Sequence, residues 1–280
     1  MNHIELSTSV NASIVHNVYI AYVDILGFSD LVRSKNWREK IERVFEIVRI
    51  SIQRTSTAAT TNIVPKDPLR SLFSSDSIVL WQKPDDDSKW EEKVKALRFL
   101  LHAVEKIQFL CAIENIWMRG GISYGEVLYD SKNSNVAGPG YIEAYKLEQV
   151  AEFPRVLVDS KIIQDALPNA NERKRYLRDI NQTYGYSEYS GKFLFDFGSI
   201  NPTGSTFKQD YPFFVHYLNR LSNEGEMKNL HIVWENLRTN LYASAPKIFR
   251  KYQWVLEYLA HYSATIPSDN IDKLFAESPI

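Results

Sequence analysis

The chain has 280 residues and a mass of 32.4 kDa, enough for one large domain, or a domain plus an extension, with a core that needs no disulfide staples. Hydrophobic residues make up 44% and charged residues 24%, an ordinary soluble composition. The 33 Lys and Arg against 34 Asp and Glu leave a net charge of −1, which argues against a broadly basic surface for a nucleic-acid polymer. A single cysteine, Cys111, excludes an intrachain disulfide and a Cys-based zinc site, and its apolar surroundings read as those of a buried structural thiol. Met1 to Asn17 is polar and lacks the basic start and apolar run of a signal peptide. The longest apolar stretch, Phe99 to Ile113, is broken by His102, Glu105, Lys106 and Gln108, so no membrane helix is expected. The expectation is a soluble, cytoplasmic protein with no membrane partner.

The first strong element is Val18 to Val23, β-branched and aromatic throughout, which reads as a buried strand. It runs into Asp24-Ile25-Leu26-Gly27-Phe28-Ser29. Trp37 to Arg54 carries Ile41, Val44, Phe45, Val48 and Ile52 at helical spacing. Thr55 to Leu69 reads as a loop. Leu72-Phe73 and Ile78 to Trp81 flank Ser74-Ser75-Asp76-Ser77 and predict a β-hairpin. Asp85, Asp86 and Asp87 either bind a metal or form a solvated loop that caps the helix predicted over Trp90 to Ile113.

Further along, Trp117 to Ser123 and Glu126 to Tyr129 read as two strands about Tyr124-Gly125, and Gly138-Pro139-Gly140 as a turn. Tyr141 to Glu152 predicts a helix and Arg155 to Val158 a short strand. Phe193 to Phe195 marks an alternating stretch. Tyr211 to Tyr262 is rich in helix-compatible residues and aromatics. This order predicts an α/β (α+β) sandwich, with the sheet on one side and helices on the other. The division expected is an N-terminal segment over 1–17, a catalytic domain over 18–205 and a helical extension over 206–280. That extension either packs on the core or widens a subunit interface.

Three polar residues interrupt apolar strands: Asp24, Asp76 and Arg119. A desolvated acid needs a partner, and two acids brought together repel unless a cation lies between them. Hard oxygen donors suit Mg²⁺ or Mn²⁺. The alternative is structural, with Asp24 capping a helix that starts near Gly27, Asp76 in a turn and Arg119 in an ion pair.

Ala21 to Ser29 resembles the first metal motif of the class III nucleotidyl cyclases: an apolar strand, then Asp, an apolar residue, any residue, Gly, Phe and Ser or Thr. Ser75-Asp76-Ser77 resembles the second metal motif. Met118 to Val127, with Arg119, Gly121, Ile122, Gly125 and Val127, resembles the strand Arg-x-Gly-Ile-x-x-Gly-x-Val. Gly138 to Leu147 stands where the family has Gly-Asn-x-Val-Asn-x-Ala-x-Arg-Leu, and keeps Gly138, Ala144 and Leu147. More narrowly, the chain resembles the bacterial pyrimidine cyclases of Pycsar anti-phage systems, in Asp-Ile-Leu-Gly-Phe-Ser, Ser-Asp-Ser and Arg-Gly-Gly-Ile-x-x-Gly.

The resemblance implies a ferredoxin-like cyclase core and cyclisation of UTP or CTP to the 3′,5′-cyclic monophosphate, a messenger for a separate effector. It implies two divalent ions, Mn²⁺ or Mg²⁺, on Asp24, Asp76 and the carbonyl of Ile25. Arg119 and Lys192 would contact the terminal phosphates, aided by backbone N–H groups from Ile25 to Ser29, including those of Phe28 and Ser29. Lys146 would act at the α-phosphate. The family's site is shared across a head-to-tail dimer, so a homodimer is implied. Leu72 and Asn135 occupy the positions that read purines in adenylyl cyclases. Neither keeps the purine-reading side chain, and Asn135 can donate to or accept from a pyrimidine. Ile142 and Lys146 stand at the positions of the family's catalytic Asn and Arg; Ile142 cannot take that role, and Lys146 lacks the bidentate fork. The competing functions are a purine cyclase with displaced base contacts and an inactive cyclase fold that binds nucleotide.

Overall fold

The structure is a computed structural model that describes residues 14–57, 65–130, 135–164, 194–196, 213–222, 227–243 and 245–263. Lys192, most of the segment 1–17 and the expected boundary at 205 lie outside the described residues. In chain order the first elements are β1 (Ile14–Ile25), α1 (Phe28–Arg33), α2 (Trp37–Thr57), β2 (Arg70–Ser74), β3 (Ser77–Gln82), α3 (Trp90–Ile113) and β4 (Met118–Asp130). There follow β5 (Asn135–Ala137), α4 (Pro139–Ala151), β6 (Val156–Val158), α5 (Ser160–Gln164), β7 (Leu194–Asp196) and β8 (Phe213–Val215). A 3₁₀ turn (Tyr217–Ser222), α6 (Met227–Ala243) and α7 (Pro246–Ser263) complete the described chain.

The sheet runs β2-β3-β1-β4-β6-β8-β7, with β5 hydrogen-bonded to β4. The pairs β2–β3, β3–β1 and β1–β4 are antiparallel, and β4 pairs with β6 in parallel. With α1–α2 between β1 and β2, and α3 between β3 and β4, this is the split βαβ arrangement of ferredoxin-like folds. The α/β class expected from the sequence is the one observed.

The layering differs from the one-sided sandwich. Central β1 is apolar at both parities, and each parity packs on its own helix layer. Tyr19, Ala21, Val23 and Ile25 join the core under α2 and α3. Val18, Ile20 and half-buried Tyr22 pack on the other face with Ala144 and Tyr141 of α4. Helices therefore cover both faces.

Two turn readings also change. Residues 118–130 form one continuous strand, paired along its length with β1. Gly125 does not turn the chain: a Cβ there would lie 3.2 Å from the backbone of Gly140, so glycine lets the start of α4 rest on the strand. Gly138-Pro139-Gly140 is that start, with Gly138 at the N-cap and Pro139 at the first helical position, where proline is favoured. The triple-aspartate run caps no helix through a side chain, because Lys89 occupies the N-cap of α3. Asp85 instead accepts from Lys95 Nζ (2.8 Å) and Lys66 N (2.7 Å), and Asp86 from Ser88.

The C-terminal helices pack on the sheet layer rather than standing apart. A second core joins Phe109 and Ala112 of α3, Trp117, Ala151, Leu157 and Phe214 to Leu230, Val233, Leu237, Trp254, Val255 and Tyr258. Asn236 donates to the carbonyls of Ala112 (2.9 Å) and Ile113 (3.0 Å), which closes the end of α3. The guanidinium of buried Arg155 lies over the rings of Phe153 and Trp254, 5.2 and 5.3 Å from their centroids. Cys111 is fully buried, and burial pushes its thiol far above the usual range, as a structural role requires. No helix among the described residues is long and apolar enough to cross a membrane.

Candidate active site

The end of β1 and the β2–β3 turn meet at one edge of the sheet. Asp24 pairs in register with Ser77 of β3 and with Arg119 of β4. The two-residue turn Ser75–Asp76 carries the second acid. Ser75 adopts φ 57°, a left-handed conformation that a non-glycine residue holds at a cost of about 1 kcal/mol. The two acid-bearing segments are tied by backbone: Ile25 N donates to Asp76 O (3.0 Å), and Leu26 N donates to Trp117 O (2.8 Å). Gly27, at φ 72°, turns the chain into α1, where Phe28 packs on the core and Ser29 is exposed. Asp24 makes no helix cap; the N-cap of α1 is Gly27. The N–H groups of Ile25 and Leu26 are committed to these two carbonyls, so the phosphate cradle expected over Ile25 to Ser29 narrows to Gly27, Phe28 and Ser29.

Arg119 lies between two carboxylates. Its Nε donates to Asp24 Oδ2 at 3.4 Å, a long contact, and its Nη2 lies 2.7 Å from Glu148 Oε1. The second contact is an ion pair without hydrogen-bond alignment. Glu148 comes from α4, on the same helix face as Ala144 and Ala151, and its side chain is only 2% exposed. The close seating of α4 depends on Gly121, where a Cβ would meet Leu147 Cβ and the carbonyl of Ala144. Glu148 was not among the residues expected from the sequence. Its signal is a carboxylate one turn after Ala144 on the buried stripe of an amphipathic helix.

Two carboxylates thus flank one guanidinium, and a third, Asp76, lies within electrostatic reach of both. The Asp24 carboxyl is pushed up to about 6, first by burial and then by the negative charge of Glu148, with Arg119 opposing and Asp76 adding to the rise. Glu148 is also raised, mainly by burial, with Arg119 again opposing. Tyr22 adds an aromatic wall on the same face: its hydroxyl hydrogen-bonds Ser77 Oγ (2.6 Å), and its ring meets Tyr141 and Tyr145 edge-on.

The remaining expected residues do not join this cluster within one chain. Lys146 projects outward from α4, 63% exposed, and pairs with Glu143 (2.7 Å). Ile142 is 46% exposed on the same helix. Asn135 pairs with Asp130 at the far end of β4, eleven strand residues and roughly 35 Å from Arg119. Lys192 is outside the described residues.

No group of three or more His, Cys, Asp and Glu side chains among the described residues could hold a metal ion. The set at hand is smaller: Asp24, Asp76 and the Ile25 carbonyl. It fits a hard divalent cation that keeps water and phosphate oxygens in its remaining positions. The Asp24 carboxyl is raised first by burial and then by the negative charge of Glu148 and Asp76, and it is this second part that a cation would offset.

No protein-family model matches the chain, and no curated protein matches it. Among solved structures it is similar to the adenylyl cyclase CyaB from P. aeruginosa, with a TM-score of 0.39 and 13% identity over 54% of this chain and 82% of that one. It is similar to the guanylyl cyclase Cya2, with a TM-score of 0.37 and 15% identity over 72% of this chain and 92% of that one. A class III adenylyl cyclase-like ATP-binding protein from Pseudomonas aeruginosa gives a TM-score of 0.42 and 13% identity over 63% and 42% of the two chains. Likeness of this size leaves the functional reading to the residues.

Proposed function

We propose that the chain is a metal-dependent pyrimidine nucleotide cyclase, converting UTP or CTP to the 3′,5′-cyclic monophosphate and pyrophosphate. The observation that carries this reading is the meeting of Asp24, Asp76 and Arg119 at one sheet edge, where the carboxylates outnumber the guanidinium.

Asp24, Asp76 and the Ile25 carbonyl would hold two divalent ions, Mg²⁺ or Mn²⁺, which when bound favour ionisation of the ribose 3′-hydroxyl and neutralise the triphosphate. Arg119 binds the β- and γ-phosphates and holds them in line for departure as pyrophosphate. The start of α1, with Phe28 and Ser29, offers backbone N–H groups to the same phosphates. Base and α-phosphate contacts come from a second copy: Asn135 and Lys146 of the partner subunit reach over the metal edge of the first chain in a head-to-tail homodimer. The distance from Arg119 to Asn135 within one chain supports this division. Lys192 is a further phosphate contact in this reading. The preference for a pyrimidine rests on Leu72 and Asn135, which leave the purine edge without its partners. Following the Pycsar resemblance, the product serves as a messenger for a separate effector in anti-phage defence.

A second reading, an inactive cyclase fold that binds nucleotide, draws on Ile142 and on exposed Lys146 paired to Glu143. Incubation with Mn²⁺ and each of the four NTPs separates the two. The cyclase reading expects a cyclic pyrimidine nucleotide that Asp76→Ala abolishes, and binding without turnover would favour the second reading.

A further inference from the structure

We infer that Glu148 is the positioning residue that holds Arg119 toward the triphosphate, an assignment that rests on the reading of Arg119 as the phosphate-binding group. Arg119 has two acidic neighbours, and they are unequal. The Asp24 contact is long, at 3.4 Å, and Asp24 is the side chain a divalent ion would claim. The Glu148 contact is short, at 2.7 Å, and comes from a carboxylate that is almost wholly buried. Glu148 is itself held: its Oε2 accepts from Gln149 Nε2, and α4 is locked to β4 at Gly121 and Gly125.

A buried carboxylate of this kind is retained only with a charged partner, so Glu148 and Arg119 are mutually dependent. When a cation draws Asp24 away, the guanidinium keeps one fixed anchor. Its remaining N–H donors then stay on the metal edge instead of swinging into solvent. The attraction between the two charges, one of them almost wholly buried, is what holds the guanidinium on this side. Lys251 of α7 also lies within electrostatic reach of Glu148, so the test must separate the two cations.

The primary test needs no nucleotide. The guanidinium Nη–H resonances of Arg119, on the side that faces Glu148, are assigned as the signal lost in Arg119→Lys, then followed in Glu148→Gln and Glu148→Asp of the full chain. The expected result is a resolved signal in the wild type, shifted or lost to solvent exchange in Glu148→Gln and partly restored in Glu148→Asp. An unchanged signal in a folded Glu148→Gln protein overturns the inference; if that variant does not fold, Glu148→Asp alone decides by the same criterion.

The second test measures the affinity of 3′-deoxy-UTP with Mn²⁺, which lacks the attacking hydroxyl. Glu148→Gln should weaken it about tenfold or more, and add nothing in an Arg119→Lys background. Additive losses in the double variant would assign Glu148 to Lys251 or to the fold at large. Absence of cyclic product from any NTP in the wild type refutes the cyclase reading and leaves the resonance test to decide the Glu148–Arg119 coupling.

Discussion

Replacing Asp24 by Asn separates stability from function in this protein. Asp24 is partly buried near Glu148 and Asp76, and its carboxyl is pushed up to about 6 from 3.8. At neutral pH the folded chain holds a carboxylate that would be more comfortable unfolded. A rise of about two units corresponds to roughly 3 kcal/mol of destabilisation above pH 6. The sign follows from proton counts. Between pH 3.8 and about 6 the folded state holds the proton and the unfolded state has released it, so stability from this group falls as pH rises through that window.

Asp24→Asn removes the charge and keeps the shape, at the loss of a long contact to Arg119 that is worth about 1 kcal/mol or less. The net expectation at pH 7.5 in chelated buffer is a gain of about 1–3 kcal/mol, which for a chain of this size raises Tm by roughly 3–8 °C. At pH 5 the gain should shrink by about half. Added Mn²⁺ should stabilise the wild type and leave the variant unmoved. Thermal denaturation across pH, with and without Mn²⁺, reads all three effects. A variant less stable than the wild type in chelated buffer, with no pH dependence in the difference, would refute the electrostatic reasoning.

Other substitutions probe the remaining parts of the account. Gly121→Ala places a methyl against Leu147 and the Ala144 carbonyl, so it should cost about 1–3 kcal/mol by denaturant titration and remove the proposed cyclase activity by lifting α4 and Glu148 from the sheet. Trp254→Ala empties a site packed by Phe153, Phe214, Tyr258 and Arg155; it should cost about 3–5 kcal/mol, with Tm falling by about 10 °C or more. If the site is shared between two copies as proposed, inactive Asp24→Asn and Lys146→Ala chains refolded together should recover about a quarter of wild-type activity, because half of the dimers are mixed and each holds one intact site. No recovery from co-refolded, dimeric variants would place the whole site in one chain.

The acids and the arginine were legible in the sequence because polar residues interrupting apolar strands are costly without a purpose. Their pairing was not, since the register that sets Asp24 opposite Arg119 depends on non-local strand order. Gly125 misled in an instructive way. Glycine in a strand usually marks a turn or a close approach, and only the position of Gly140 decides between them. The same missing contact hid Glu148: its role needs α4 on the β1–β4 face, whereas the pattern of elements suggested one helical layer. Asn135 and Lys146 were named with the metal group by resemblance, yet one chain keeps them apart for a geometric reason, the length of β4 and the outward face of α4.

The most direct test of the central claim is product analysis after incubating the purified full chain with Mn²⁺ and each of the four NTPs. The account predicts cyclic UMP or cyclic CMP and pyrophosphate in equal amounts, lost in Asp76→Ala. Cyclic product from ATP or GTP alone would contradict the pyrimidine assignment, and no cyclic product from any of the four would contradict the cyclase itself.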